Sequence, residues 1–481
     1  MHFRHRLSSD LNQTVIAAIG GRLWQFISGP LTVFLIARQF SEVEQGFFYA
    51  FSGYLGTQAF FELGLSSVLI SFAGHQHAAI ESTDAKDSLG ARTMLTDLVR
   101  KSLRYYAVSS LLFLLITGAS GFLFFSRQQV AIPWEGPWCA LMLVATLNLA
   151  MTPLIAILEG TGSAKTVYRN RFLQAILGSI TVWLALLFNF SLWTTVASAA
   201  VQLAMQLVLV LGPGRHLLRG DLLRSSEDAS IRWRRNVLPM QWRIAVQGIA
   251  LYLATQALTL VLLETQNVQI AGRWGMTWSI LLALQSMAIA WVNAAFPQAT
   301  RFAANAQFSQ LRSYWRQISV ASSLLLLTGL VAFALVVSIL NTLEISLGSR
   351  FIDPLDLLLF GIGMLAYHWA ASLGYLVRAQ KRESLYWAAT LGQIVVAVAC
   401  WTAGGIGGVR PLCIAFAVAN MLVLLPLHLL AYHWDLKQGV DERSGGRHRK
   451  HDEKHQEEDR ENNRSEPPLL IVPQKIDELA D

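Results

Sequence analysis

Between residues 14 and 432 the chain is a succession of nearly charge-free apolar stretches separated by short polar segments. Most of these stretches run roughly 20–25 residues, the length a helix needs to cross about 30 Å of hydrocarbon. Inside a bilayer every backbone N–H and C=O must find a partner within the protein, so only helices and closed barrels can cross it. A barrel would show short alternating segments, and none are present. The stretches therefore predict an all-α integral membrane protein with about twelve transmembrane helices. The predicted spans are Thr14–Ala37, Phe47–Phe72, Tyr106–Phe125, Pro137–Leu158, Phe172–Phe190, Trp193–Leu211, Gln241–Leu263, Gly275–Phe296, Ile318–Leu340, Pro354–Leu376, Leu385–Gly404 and Val409–Tyr432. The boundary between the fifth and sixth is the least defined, because only Asn189–Leu192 separates them. With 14% charged residues and a mean hydropathy of +0.42, most of the chain cannot face water.

The basic residues test the count. With the N-terminus placed in the cytoplasm, 32 of the 38 Lys and Arg fall in the segments on the cytoplasmic side. Only Arg38, Arg127, Arg273, Arg350 and Arg410 fall on the opposite side, and Arg22 lies within the first span. Such asymmetry follows the positive-inside rule and predicts an even number of spans with both termini cytoplasmic. It also accounts for the net charge of +7 without nucleic acid as a partner. Trp134, Trp138, Trp193 and Trp242 stand near span ends, as interfacial anchors do. Cys139, Cys400 and Cys413 all lie in apolar segments and read as packing residues, not as a disulfide set or metal site. The apolar stretch after His2, Arg4, His5 and Arg6 is too long for a cleavable signal.

The organisation that follows is a cytoplasmic N-terminus (1–13), six spans (14–211), a basic cytoplasmic linker (212–240), six further spans (241–432) and a polar, disordered cytoplasmic tail (433–481). Weak internal symmetry links the halves: Arg22 and Gln25 in one correspond to Arg243 and Gln247 in the other. Gly-aromatic turns, Gln45–Gly46–Phe47 and Ala271–Gly272–Arg273–Trp274, follow in each. Secondary transporters are often built from such repeats, with the substrate site between them.

Ionisable groups within a span are costly, about 2.5–3.5 kcal/mol on insertion scales, and mark candidate sites. Arg22 and Arg243 are candidates to face an anionic substrate, since a guanidinium donates two parallel hydrogen bonds to a phosphate and stays charged. Gln25 and Gln247 stand beside them. Structural roles remain open: Arg22 pairing with Glu62 or snorkelling, Arg243 lying near the cytoplasmic surface, and Glu62 serving as a helix contact or as a coupling group. Further amides lie in spans at Asn148, Gln256, Gln285, Asn293, Gln393 and Asn420. Interhelical hydrogen bonding is the default for each, but their density in the first, seventh and eighth spans suggests where a hydrated cavity lies. His368, beside Trp369, reads as a packing residue. Gly160–Thr166 imitates a phosphate-binding loop but has Ala164 where the motif requires Gly, and it sits between two spans. No catalytic residue, metal or cofactor is expected, and the outward loops are too short to house a membrane polymerase or ligase.

Several segments carry a resemblance. Ser41–Tyr49 (SEVEQGFFY), Glu62–Leu65 (ELGL), the Glu159–Gly162 turn, Pro239–Arg243 (PMQWR), and Trp291 with Phe296–Pro297 follow in the order and spacing of polysaccharide-biosynthesis flippases. Over roughly residues 14–432 the chain resembles this O-antigen-translocase-like branch of the multidrug/oligosaccharidyl-lipid/polysaccharide exporter superfamily. The resemblance implies two six-helix bundles facing each other in a V, in a bacterial plasma (inner) membrane. It also implies movement of a polyprenyl-diphosphate-linked oligosaccharide from the inner to the outer leaflet by alternating access. Partners implied are the lipid bilayer, that lipid-linked glycan and proteins of glycan assembly. The peptidoglycan-precursor branch usually has fourteen spans and a richer basic cavity, so it matches less well. An ion-coupled small-molecule or multidrug exporter of the same superfamily is the alternative, although a cavity for cations would favour Asp or Glu over Arg22.

Overall fold

The structure is a computed structural model that describes residues 20–218 and 233–435, apart from 22, 26, 81–84, 129 and 234–236. Arg22, the N-terminus, most of the predicted linker and nearly all of the predicted tail lie outside these residues. Two units divide the chain at His428, and all but the end of the last helix falls in the first. The described residues are helical nearly throughout. In chain order the helices are α1 (described over 27–39), α2 (Glu42–Leu55), α3 (Gln58–Glu62), α4 (Leu65–Ile80), α5 (Gly90–Ser126), α6 (Glu135–Leu158), α7 (Ala164–Leu187) and α8 (Trp193–Leu211). After the linker come α9 (Leu238–Ala254), α10 (Leu258–Thr265), α11 (Val268–Ala304), α12 (Phe308–Thr342), α13 (Pro354–Ala379), α14 (Tyr386–Gly407) and α15, which runs from Val409 to Asp435 through a π-helical turn at Asn420–Leu424.

Among the described residues eight helical runs are long and apolar enough to cross a membrane, and two bent pairs add two more. One of the eight, Glu135–Leu187, has 53 residues. Straight, it would extend about 80 Å at ~1.5 Å per residue, far beyond one bilayer, so it is the fourth and fifth spans joined without a loop. The joint is Glu159–Ser163, where Thr161 (φ −86, ψ 36) and Gly162 (φ 81, ψ 0) leave helical geometry. Only glycine adopts the Gly162 conformation without cost, so the segment that imitates a phosphate loop is a chain reversal. The expected weak boundary between the fifth and sixth spans is in fact distinct: Asn189 (φ 56) and Ser191 (φ 49) form a left-handed turn between α7 and α8. With α1 included, the twelve-span reading holds.

Several local readings are corrected. Gln45–Gly46–Phe47 and Ala271–Trp274 are not turns but lie inside α2 and α11. The second span begins five residues earlier than expected, at Glu42, because Ser41 and Glu44 form a reciprocal capping box, with Ser41 N to Glu44 Oε2 at 2.8 Å and Glu44 N to Ser41 Oγ at 3.2 Å. Asn267 caps α11 in one direction only, its Oδ1 accepting from Ile270 N at 2.8 Å. Trp134 and Trp138 are core residues, not interfacial anchors: both are buried among Phe47, Phe51 and Phe125, and the Trp138 indole donates to Gly118 O at 3.1 Å. Trp193 and Trp242 remain exposed. Cys400 and Cys413 are buried and Cys139 is exposed; all three are free thiols.

The helices before the linker pack on one another through α5–α6, α6–α8 and α7–α8, and those after it through α11–α12, α9–α14 and α13–α15. Across the halves the most extensive contact is α2 against α11. It is close because glycines face it. A Cβ on Gly46 would lie 2.3 Å from Val268 O, one on Gly272 would lie 2.9 Å from Gly46 N, and one on Gly275 would lie 2.3 Å from Tyr49 Cβ. Small residues let membrane helices approach until dispersion and backbone dipoles hold them, where the lipid supplies no hydrophobic drive.

Candidate substrate cavity

Two spans are broken. Glu42–Glu62 meets α4 at 48°, and Gln241–Ala254 meets α10 at 41°. A break inside a membrane helix frees backbone carbonyls that water cannot reach, so side chains must satisfy them. The first bend falls at Leu63–Gly64 (φ 50 and 64), and Phe61 O beside it accepts from Tyr105 Oη at 3.0 Å and from Ser109 Oγ. Within the same span, at the interruption between α2 and α3, Tyr252 Oη donates to Gly53 O at 3.0 Å and Thr57 Oγ1 to Tyr54 O at 2.6 Å. At the second break, Thr255 Oγ1 donates to Leu251 O at 2.6 Å and the Trp401 indole to Leu253 O at 2.9 Å. Tyr252 thus belongs to one broken span and caps the other.

Beside the second break lies a cavity of about 340 Å³, within the ~300–1,000 Å³ range of small-molecule sites. Gly56 and Ala59 border it from the first half. The α9 helix and its break contribute Gly248, Leu251, Tyr252, Ala254, Thr255 and Gln256; α11 contributes Trp278, Leu282 and Gln285. Met364 and Tyr367 of α13, Gln393 and Val396 of α14, and Phe416 and Asn420 of α15 complete it. The wall is mostly apolar and aromatic, with four amides and no charged side chain. Trp278 donates to Gln256 Oε1 at 2.9 Å, and Asn420 Nδ2 to Phe416 O at 2.8 Å. Behind Gln285, its Nε2 lies 3.3 Å from His368 Nδ1, and His368 Nε2 lies 2.9 Å from Ser322 Oγ. The polar chain continues through Ser322 Oγ to Ser319 O at 3.1 Å and Ser319 Oγ to Ser372 Oγ at 2.6 Å.

The predicted site residues are placed as follows. Gln25 is exposed on the first helix, which is held against α7 by Trp24 Nε1 to Ala175 O at 3.2 Å and Trp183 Nε1 to Thr32 Oγ1 at 2.9 Å. Arg243 is exposed and Gln247 half-buried on α9. With Leu251 they form an i, i+4, i+8 stripe, so they stand on the helix face that leads into the cavity, Arg243 about 12 Å from Leu251 by helical rise. Glu62 is half-buried at the end of α3 and accepts from Ser66 Oγ. The cavity does not bring Gln25, Arg243 or Glu62 into its wall. Of the amides singled out from sequence, Gln256, Gln285, Gln393 and Asn420 do line it, whereas Asn148 ties α6 to Ala199 O at 3.1 Å. The seventh and eighth spans carry much of the cavity as their amide density suggests; the first does not. Tyr252 and Trp278, which shape it, carry no sequence signal beyond being aromatic.

No protein-family model and no curated protein matches the sequence. Solved structures do match along most of its length. The Lipid II flippase MurJ in an inward closed conformation superposes with a TM-score of 0.54 at 12% identity, covering 87% of each chain. A MOP superfamily transporter from Pyrococcus furiosus gives 0.53 at 13% identity, covering 88% of this chain and 94% of the other. The Vibrio cholerae MATE transporter VcmN gives 0.51 at 14%, covering 91% and 99%. The chain shares the fold of these proteins. A lipid II flippase and multidrug transporters are both among these structures, so a functional reading rests on the chemistry of the cavity.

Proposed function

We propose that this protein is a flippase that moves a polyprenyl-diphosphate-linked oligosaccharide from the inner to the outer leaflet of a bacterial plasma membrane, with both termini in the cytoplasm. A glycan on a diphosphate cannot cross about 30 Å of hydrocarbon unaided, because its hydroxyls and charge would be stripped of water. The observation that supports a glycan cargo over a cationic drug is the cavity wall. It offers amides and aromatic rings and, among the described residues, no carboxylate. A desolvated cation is held by an opposing charge or by an aromatic cage; a sugar needs hydrogen-bonding partners and an apolar face, and the four amides of the wall suit the sugar. In this reading the six spans on each side of residues 212–240 act as two bundles. Arg22 with Gln25 and Arg243 with Gln247 receive the diphosphate near the cytoplasmic surface while the sugars enter the cavity. Glu62 serves as a coupling or structural partner.

The test is a deletion in the native host with quantification of lipid-linked oligosaccharides, complemented by wild type or by Arg22→Ala. Accumulation of a completed lipid-linked repeat, reversed by wild type and not by Arg22→Ala, is the expected result. Normal lipid-linked intermediates and surface glycan, in a strain with no second flippase, would transfer the protein to the small-molecule exporters.

A further inference from the structure

Between Glu264 and Glu344 the chain holds four arginines and not one carboxylate. Arg273 lies at the arginine-poor end and pairs with Glu42. The other three, Arg301, Arg312 and Arg316, stand at the arginine-rich end, on the hairpin where α11 turns into α12, and all three are exposed. Among the described residues none of them has a carboxylate within ion-pair distance. Basic residues at the same end of the first half are neutralised: Arg100 and Lys101 each lie 2.8 Å from Asp97, and Arg171 lies 2.8 Å from Glu159. The positive-inside rule asks only that basic residues lie on this side; it does not ask that they go without counter-charge. Arg312 and Arg316 also stand four residues apart on one helix, where like charges repel. The N-terminal end of α12 adds the positive pole of its dipole to them. The hairpin therefore presents a positive charge that nothing described in the fold balances.

Its depth follows from α12. This helix packs chiefly on α11 and α13, and its outer stripe is apolar and exposed: Val320, Leu324, Leu327, Val331, Leu335 and Ile339. From Val320 to Ile339 the helix rises about 29 Å at ~1.5 Å per residue, the thickness of the hydrocarbon core. Continued four residues at a time toward the N-terminus, the stripe reaches Arg316 and then Arg312, about 6 and 12 Å beyond Val320. The headgroup layer is roughly 5–8 Å deep on each face. Arg316 therefore stands within it, and the long side chain of Arg312 reaches back to it. The base beneath them is fixed: Trp315 is buried and donates to Ser372 O at 3.2 Å, and Tyr314 meets Phe302 edge-on at 5.6 Å. From this geometry we infer that the outer face of the α11–α12 hairpin binds the phosphates of anionic phospholipids in the adjoining leaflet, the inner leaflet in the orientation proposed above. Arg312 and Arg316 are the ligands, and Arg301 adds to the local charge. A guanidinium donates parallel hydrogen bonds to a phosphate. A zwitterionic headgroup brings its own cation, so the preference is for lipids of net negative charge, by about fivefold for each arginine near the surface. The inference goes beyond the flippase reading and holds whatever the cargo is.

The experiment places the full chain in phosphatidylcholine nanodiscs that carry a trace of photoactivatable lipid. The probe is either phosphatidylglycerol or phosphatidylcholine, each with a diazirine at the start of one acyl chain, and cross-linked peptides are mapped by mass spectrometry. The phosphatidylglycerol probe is expected to label the start of α12 about tenfold or more above the phosphatidylcholine probe. Arg312→Gln with Arg316→Gln should lower that ratio at least fivefold. Arg312→Lys with Arg316→Lys, which keeps the charge, should retain more than half of it. Soluble glycerol 3-phosphate in excess should leave the labelling unchanged. Equal labelling by the two probes in the wild type would overturn the surface, as would a ratio that the double glutamine variant leaves intact. Equal losses in the lysine and glutamine variants would trace the effect to the shape of the hairpin and not to its charge, and would also overturn it. Competition by glycerol 3-phosphate would replace the lipid with a soluble anion.

Discussion

Glu42 lies 3.6 Å from Arg273, and Arg127 lies 4.0 Å from Glu264; both pairs run between the first and second halves of the chain. At the opposite, arginine-rich end, Asp97 is bridged at 2.8 Å by Arg100 and by Lys101 of its own helix, and Glu159 at 2.8 Å by Arg171 in the same half. Hydrogen bonds add to the ties at the arginine-poor end. At the arginine-poor end Gln45, 1% exposed, donates to Gly272 O at 3.0 Å and to Arg350 O at 3.2 Å. Arg350 in turn donates to Phe40 O at 2.8 Å and to Gln45 Oε1 at 3.3 Å. Three of the five arginines at that end, Arg127, Arg273 and Arg350, thus fasten one half to the other near the Gly46–Gly272 crossing, whereas Arg410 pairs with Asp353 and Asp356 of its own half. The many at the other end brace single halves or stand on the surface.

If this contrast is real, substitutions at the two ends must differ in what they release. A suitable reporter is a cysteine at Thr277, fully buried below the Gln45–Arg350 contacts (the clasp), in a background with Cys139, Cys400 and Cys413 replaced by alanine, read by its rate of maleimide labelling. The largest effect is expected from Gly46→Leu, because even its Cβ would overlap Val268. Overpacking of this kind costs about 1–3 kcal/mol or more, and both a lowered Tm and fast labelling should follow. Arg350→Ala comes next: it removes two hydrogen bonds and leaves the Gln45 oxygen buried, a loss of about 1–3 kcal/mol, with labelling raised severalfold. Gln45→Leu should act through the same contacts. In a double-mutant cycle with Arg350→Ala the two effects should be non-additive by about 0.5–1 kcal/mol or more, and strict additivity would show that the clasp is not a unit. Glu42→Gln breaks only a half-exposed pair, so a change of at most ~1 kcal/mol is expected, shrinking with added salt. Arg171→Ala, at the far end, should leave labelling at Thr277→Cys unchanged; acceleration there would erase the distinction between the ends.

Much of this architecture is legible in the sequence, because the bilayer imposes a length and a charge asymmetry that few sequences satisfy by chance. The spans and the pairing of α7 with α8 follow from those constraints. What is not legible comes from contacts between distant segments. Gly46 and Gly272 read as turn residues because glycine disfavours helices in water; in a membrane bundle the same residue is used for close approach. Trp134 and Trp138 read as anchors from their position near span ends, yet a cluster of phenylalanines across α2 and α5 draws them inside. For the cavity, the amides Gln256, Gln285, Gln393 and Asn420 stand out as costly residues in spans. That they converge on one space, while Asn148 only joins two helices, depends on which faces meet. The broken α9–α10 helix carries no proline at its break, and no local signal marks where it opens.

The clasp also fixes an order of events in biogenesis. Gln45 and Gly272 are 227 residues apart, and Gln45 and Arg350 are 305 apart. At a synthesis rate of about 5–20 residues per second, the amide of Gln45 and the groove at Gly46 wait on the order of 10–60 s in the bilayer before their partners exist. During that interval the first six spans are a half-finished object with a polar group and a narrow cleft facing lipid. Any chaperone or insertion factor that attends this protein has its natural target there, and a pause in translation between the halves would lengthen the exposure.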